Sequence, residues 1–285
     1  MLKVVVIGYD KMLSSLISGV IASNNKVVGV LRNERVKINK LLLFFKDIFA
    51  PSKDLSFIKS YKIKDIKATS VNSKEFLNEV KKLEADVILV GSWGEKIKGE
   101  ILKTPKYGII NCHPSLLPKN RGANPYFWVL YQGKKETGVT FHKVDENYDT
   151  GDILYQAIVQ ITSDMNALDL KIKCAQTAKL MVPPLLDDLE HNRIIPIPQN
   201  NEEATYEFAY NANHIVIDYT KTLEEILNHI RALLPYQTPY VMLNDYYYKI
   251  GKYKVSDGKT TFKNGKILKC KDGLLEVEIL WKTLT

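Results

Sequence analysis

A chain of 285 residues that is 45% hydrophobic and 10% aromatic can bury one large core or two of ordinary size. No run approaches the roughly 18 apolar residues of a membrane span, and MLKVVVIGYD enters a strand-like run without the flanks of a signal peptide, so the chain reads as cytoplasmic with no membrane partner. The formal charge is +8, yet residues 200–285 balance 11 Lys+Arg against 11 Asp+Glu, so net charge alone does not make this a nucleic-acid binder.

In chain order, KVVVIG at 3–8 reads as a buried strand, residues 11–23 as a helix and KVVGVL at 26–31 as the next strand. The positive charge concentrates just after it. Between 32 and 67 stand ten basic residues, Arg32, Arg35, Lys37, Lys40, Lys46, Lys53, Lys59, Lys62, Lys64 and Lys67, against Glu34, Asp47, Asp54 and Asp65. Such a run is either a solvated face or a contact for an anionic substrate, a nucleotide diphosphate or RNA. Asn72 with Glu75 resembles a capping box opening the helix SKEFLNEVKKL, and ADVILVG at 85–91 is a further strand, which completes a βαβ-like unit with parallel pairing.

YGIINCHPS predicts a strand ending near His113, followed by a helix over 123–132 and strands at 137–144 and 152–161. A long helix follows, expected to be cut by Pro183 and Pro184, and the first domain closes near 195. PIPQNNEEA at 196–204 has linker composition. After one more helix, short strands separated by Asn244-Asp245, Asp257-Gly258, Asn264-Gly265 and Asp272-Gly273 predict a small β domain compatible with an open OB-type barrel. That domain suits a homodimer contact as well as a ligand.

The segment from 108 to 153 carries the chemistry. Asn111 and His113 are two apart at a strand end, which puts both on one face and Cys112 on the other. Open α/β sheets place their sites at the carboxyl ends of strands. An amide can donate to a developing oxyanion, an imidazole can accept a proton near neutral pH, and a carboxylate at Asp149, in ENYDTGD, can orient that imidazole and relay protons. Gly8 ends the first strand, but YDKML does not continue a GxGxxG pattern, so no dinucleotide site is expected. Cys112, Cys174 and Cys270 are far apart and odd in number and read as core thiols, while His142, His191, His214 and His229 show no partner spacing. No metal is assigned.

Asn111-Cys-His113, then Pro114-Ser-Leu-Leu-Pro118, Arg121-Gly122, TGVT at 137–140 and Asp149-Thr-Gly-Asp-Ile153 resemble, in order, the signature of the formyltetrahydrofolate-dependent formyltransferases. That family includes methionyl-tRNA formyltransferase, glycinamide ribonucleotide formyltransferase and the sugar N-formyltransferases. The resemblance implies an α/β, Rossmann-like, mostly parallel sheet domain over 1–199 and a smaller OB-like β domain over 200–285. It implies Asn111, His113 and Asp149 as the catalytic triad and N10-formyltetrahydrofolate as co-substrate. By position, the folate is expected against Trp93, Gly94 and Ile97 in one loop and Val144, Asp145 and Glu146 in another, with Ser115, Leu116, Leu117 and Pro118 shaping the site.

Two features depart from methionyl-tRNA formyltransferase. The stretch after the second strand, NERVKINKLLLFFKDIFAPSK, is apolar at Leu41–Phe45 and looks packed, and the C-terminal segment is neutral. RGANPYFW at 121–128 looks more like the sugar N-formyltransferases, so a UDP- or dTDP-linked amino sugar is the favoured acceptor and tRNA the alternative. Asn124 and Tyr126 are then expected to meet sugar hydroxyls and Lys119 and Arg121 the diphosphate, although Tyr126, Phe127 and Trp128 are also candidates for a buried helix face. Hydrolysis of the formyl donor by water, or a silent binding module, stays open.

Overall fold

The computed structural model describes residues 1–32 and 53–283. Contacts group the chain into two units, one of Met1–Arg121, Gly138–Val159 and Ile172–Thr205, the other of Gly122–Thr137, Gln160–Lys171 and Tyr206–Thr285, so the units interleave along the sequence. The elements run β1 (Lys3–Gly8), α1 (Asp10–Ala22), β2 (Lys26–Arg32), α2 (Lys53–Ser60), β3 (Lys64–Ile66), α3 (Lys74–Lys82), β4 (Val87–Gly91), β5 (Ile109–His113), β6 (Arg121–Gly122), α4 (Pro125–Tyr131), β7 (Glu136–Lys143), β8 (Ile153–Gln160) and α5 (Ala167–Glu190). They continue with β9 (Tyr206–Glu207), β10 (Val216–Ile217), α6 (Leu223–Leu233), β11 (Tyr240–Leu243), β12 (Tyr246–Val255), β13 (Gly265–Lys269) and β14 (Leu274–Thr283).

Seven strands form one sheet in the order β3-β2-β1-β4-β5-β7-β8. The pairs from β3 to β5 are parallel and β7 runs antiparallel to β5. The continuous apolar runs that predict these strands are what a sheet covered on both faces requires, and Val4, Val5, Val6 and Ile7 of β1 are fully buried. Against one face pack Phe76 and Val80 of α3 with Ile97 and Ile101 of the following loops. Truncating the fully buried Phe76 to Ala is worth roughly 3–5 kcal/mol by the usual cost of such a void. Gly8 has a packing role: a Cβ there would stand 2.1 Å from the carbonyl oxygen of Gly91, so β1 and β4 approach too closely for any side chain.

Two local expectations are corrected. The cap of α3 is Ser73, whose hydroxyl accepts from the Phe76 N–H; Asn72 instead donates to Glu95 and to the Lys96 carbonyl and accepts from the Lys98 N–H. A short amide one residue early found better partners in the neighbouring loop. Helix α5 is not cut at Pro183 and Pro184 but runs through both. The backbone bonds that proline forfeits are offset by burial, since Val182, Leu185 and Leu186 flank the pair and are wholly enclosed.

Residues 33–52 lie outside the described residues, so the packed reading of Leu41–Phe45 and most of the 32–67 charge run do too. Of that run, Arg32 and Lys67 both pair with Asp65, and these bonds draw its carboxyl below the usual range against the upward push of burial. Among the described residues no helix is long and apolar enough to cross a membrane.

In the second unit, β10-β11-β12-β14-β13 form a five-stranded sheet, the small C-terminal β domain. The β11–β12 turn holds Asn244 and Asp245 at φ 48° and 64°, the paired left-handed geometry of a type I′ hairpin that the Asn-Asp pair suits. Helix α6 opens on a complete capping box between Thr222 and Glu225. In α4, Phe127 is buried and stacks on Tyr131 at 5.5 Å, with Tyr210 at 4.7 Å, so it serves the core as one of its alternative readings foresaw.

Candidate active site

Strand β5 delivers Asn111 and His113 to one face and turns Cys112 to the other, where its Sγ lies 3.6 Å from Sδ of Met12. Burial pushes the Cys112 thiol well up, which keeps it a core group. Strand β7 is registered so that Asn111 faces His142 and His113 faces Thr140 across the antiparallel pair. The loop after β7 brings back Asp149, in the left-handed region at φ 57°.

These side chains converge. Nδ2 of Asn111 lies 3.1 Å from Oδ1 of Asp149 and 3.1 Å from Nε2 of His142. Nε2 of His113 lies 2.8 Å from the carbonyl oxygen of Asn120; a carbonyl only accepts, so this nitrogen carries the hydrogen. Nδ1 of His113 is thereby turned to Oδ2 of Asp149 at 3.5 Å. With its hydrogen on Nε2, a neutral ring offers only a lone pair at Nδ1, so a direct contact with this carboxylate forms when Nδ1 takes up a proton. His142 is fixed the same way, its Nδ1 donating to the Lys143 carbonyl at 2.8 Å, which leaves Nε2 to accept from Asn111. The histidines are nearly inaccessible and the Asp149 carboxylate is 12% exposed, so the cluster opens to solvent through the carboxylate.

The cleft beside this cluster is lined by Val90, Trp93, Glu95, Lys96, Ile97, Asn111, His142, Val144, Asp145, Asn147, Tyr148 and Asp149. Of the residues expected against folate, Trp93, Ile97, Val144 and Asp145 line it, while Gly94 and Glu146 are exposed beside it and do not. Ser115, Leu116, Leu117 and Pro118 do not line it either. They build the loop behind His113: Ser115 donates to the Lys119 carbonyl, Thr140 donates to the Ser115 carbonyl, and the Leu117 N–H donates to Thr140. Leu116 packs on Gly138 and Pro118 gives its carbonyl to the Thr205 N–H.

The residues expected at the acceptor fall in both units. Lys119 is exposed. Arg121 is fully buried and bonded to Gln199 and Asn201, so it is out of reach of any diphosphate. Asn124, exposed and left-handed at φ 54°, and half-buried Tyr126 open α4 in the second unit. His142, which sequence spacing left without a partner, belongs to the cluster; the signal was its place on the same face of β7 as Thr140, which local spacing cannot connect to β5. Glu95, Lys96, Asn147 and Tyr148 are further lining residues that the sequence did not single out. Among the described residues no group of three or more His, Cys, Asp or Glu could hold a metal ion.

Comparison with known proteins gives this geometry a family. A methionyl-tRNA formyltransferase of Caldanaerobacter subterraneus subsp. tengcongensis is 37% identical over 227 residues, 80% of this chain and 73% of that protein. A sugar 3N-formyl transferase, WlaRD, solved in the presence of dTDP and 5-N-formyl-THF, superposes with a TM-score of 0.72 at 23% identity over 99% of each chain. An N-formyltransferase from Helicobacter canadensis, solved with folinic acid and dTDP-3-aminofucose, gives 0.73 at 22% identity over 99% of this chain and 100% of that one. The formyl transferase model matches residues 8–185 and the formyl transferase C-terminal domain model residues 211–282, and with an amide, an imidazole and a carboxylate gathered at the end of β5, this chain belongs to the formyl transferase family and is a formyltransferase.

Proposed function

We propose that the protein transfers a formyl group from N10-formyltetrahydrofolate to the amine of a nucleotide-linked amino sugar, with Asn111, His113 and Asp149 as the reacting side chains. The observation that carries the chemistry is their convergence, 3.1 Å from amide to carboxylate and 3.5 Å from carboxylate to imidazole, at the rim of one cleft.

The cleft suits a folate. Nε1 of Trp93 is buried without a hydrogen-bond partner, a donor facing a vacant role, and Val90, Ile97 and Val144 give apolar walls beside the carboxylate of Asp145. When bound, the folate would supply the formyl carbon in an amide C–N bond, so transfer needs a donor to the formyl oxygen and a proton for the leaving nitrogen. Asn111 gives one of its two N–H groups to the charge that develops on the formyl oxygen as the amine attacks, a role that takes a hydrogen over from Asp149 or His142. Asp149 and Nδ1 of His113 receive the proton that the amine releases and return it to the departing nitrogen as the old C–N bond breaks. The amine thus gains the formyl group, and tetrahydrofolate leaves with the proton.

For the acceptor, the neutral C-terminal segment and RGANPYFW support a sugar nucleotide, and the sugar N-formyltransferases share the fold over the full chain. With Arg121 enclosed, Lys119 remains as a candidate contact in the first unit, and Asn124 and Tyr126 are separate candidates in the second. A second reading, methionyl-tRNA as acceptor, is favoured by the 37% identity to a methionyl-tRNA formyltransferase. Release of tetrahydrofolate is to be followed with UDP- and dTDP-linked amino sugars, with methionyl-tRNA, and with no acceptor. Turnover with a sugar nucleotide alone supports the first reading, turnover with the tRNA alone replaces it with the second, and acceptor-independent release makes the protein a hydrolase. Light scattering of the same preparation tests the homodimer.

A further inference from the structure

Residues 196–204 have the composition of a linker, but the segment does not behave as one. Ile197 exchanges two backbone hydrogen bonds with Ile153, each 2.9 Å. Two residues on, the amide nitrogen of Gln199 donates to the carbonyls of Asp149 at 3.0 Å and Gly151 at 2.7 Å. Its amide oxygen accepts from Nε and Nη2 of buried Arg121, at 3.0 and 2.8 Å. A guanidinium is only a donor, so Arg121 dictates which way the Gln199 amide faces and commits its N–H groups to the 149–151 loop.

The far end of the segment does the same for the other side of His113. Thr205 accepts the Asn120 N–H at its hydroxyl, 2.8 Å, and the Arg121 N–H at its carbonyl, 2.9 Å. Asn120 is the residue whose carbonyl fixes Nε2 of His113. Asn120 and Asp149, which face the two ring nitrogens of His113, both sit in the left-handed region at φ 57°. Asn and Asp tolerate that region at some cost in strain, so each loop needs an outside hold to stay there.

We infer that residues 199–205 are a clasp, in which Arg121 and Gln199 are positioning residues that hold the Asp149 carboxylate against His113 while Thr205 holds Asn120 on the opposite side. The inference rests on Asp149 and His113 as the reacting groups. It also reassigns Arg121 from an acceptor contact to a group that acts through Gln199.

The test is Gln199→Glu, assayed with N10-formyltetrahydrofolate and either dTDP-3-aminofucose or methionyl-tRNA. The carboxylate keeps the partner of Arg121 but has no hydrogen to give, and sets its oxygen against two carbonyls. We expect kcat per folded molecule to fall at least about tenfold, with KM for the formyl donor within about threefold, because a small misplacement of a reacting group acts on turnover. The double variant Arg121→Met with Gln199→Met removes the buried charge together with its amide partner; it also takes the donors from Asn201 and from the Asp149 and Gly151 carbonyls, so Tm should fall, and turnover per folded molecule should show the same loss if Q199E does not fold. Wild-type kcat in either folded variant, beside an inactive Asp149→Asn, overturns the clasp alone. A lowered Tm with unchanged turnover per folded molecule makes the segment merely structural and also overturns it. Activity in Asp149→Asn removes the catalytic reading and the clasp with it.

Discussion

Nδ2 of Asn111 lies 3.1 Å from Nε2 of His142, the residue directly opposite it in the β5–β7 pair. Because the Lys143 carbonyl takes the hydrogen of the other ring nitrogen, His142 acts on Asn111 only as an acceptor, and it sets the plane of the amide. His142→Leu should therefore lower kcat about tenfold, the worth of one well-placed hydrogen bond, and change the affinity for the formyl donor, whose proposed cleft His142 borders, by a smaller factor. Stopped-flow turnover with separate donor titrations distinguishes this from a general loosening, in which donor affinity falls by as much.

In the mechanism we propose, Asn111→Ala, His113→Ala and Asp149→Ala each remove an oxyanion donor or a proton carrier. Turnover should drop at least about a hundredfold in every case. Asp149 is only 12% exposed, so thermal unfolding measured beside turnover separates a folded, inactive variant from a destabilised one. A His113 variant that turns over at near-normal rates would remove that residue from the mechanism.

The sheet was legible because parallel strands buried on both faces read as unbroken apolar runs, as KVVVIG and VILVG do. The Asn111–His113 pair was legible because strand alternation is local. What escaped was whatever depends on who neighbours whom: His142 becomes a partner only through the register of β7 on β5, and Gln199 only because the chain returns across the 149–151 loop. Arg121 illustrates the same limit from the other side. A charged residue in an RG motif next to a site looks like an anion contact, and burial, invisible to composition, made it a support for Gln199.

Trp93 offers a test of the proposed donor site that does not need the acceptor. Its buried indole N–H has no protein partner, which costs about 1–3 kcal/mol unless a ligand supplies one. Trp93→Phe keeps a ring and deletes the N–H, and should weaken binding of 5-formyltetrahydrofolate about fivefold, whereas Trp93→Ala should weaken it far more by also removing aromatic surface. Calorimetry reads both. Equal affinity in wild type and Trp93→Phe would show that the indole serves only the core.

The second unit carries an acid-sensitive tie of its own. Glu276 is fully enclosed, yet burial, which pushes its carboxyl up, is outweighed by the N–H groups of Phe262 and Thr261, the Thr261 hydroxyl and Lys254, so the group titrates below its ordinary value near 4.5. A carboxyl lowered in the folded state adds stability that is present above the ordinary value and is lost as pH falls through the lowered one. The loop carrying Thr261 and Phe262, which precedes β13, should thus open only below about pH 4.5, in the window between the two values. Hydrogen exchange of those two amides is the direct measurement, since their bonds to Glu276 are what protects them. Glu276→Ala should expose them at neutral pH and abolish the acid step, and exchange that is slow in the variant and flat with pH in the wild type would show that the loop is held by something other than this carboxylate.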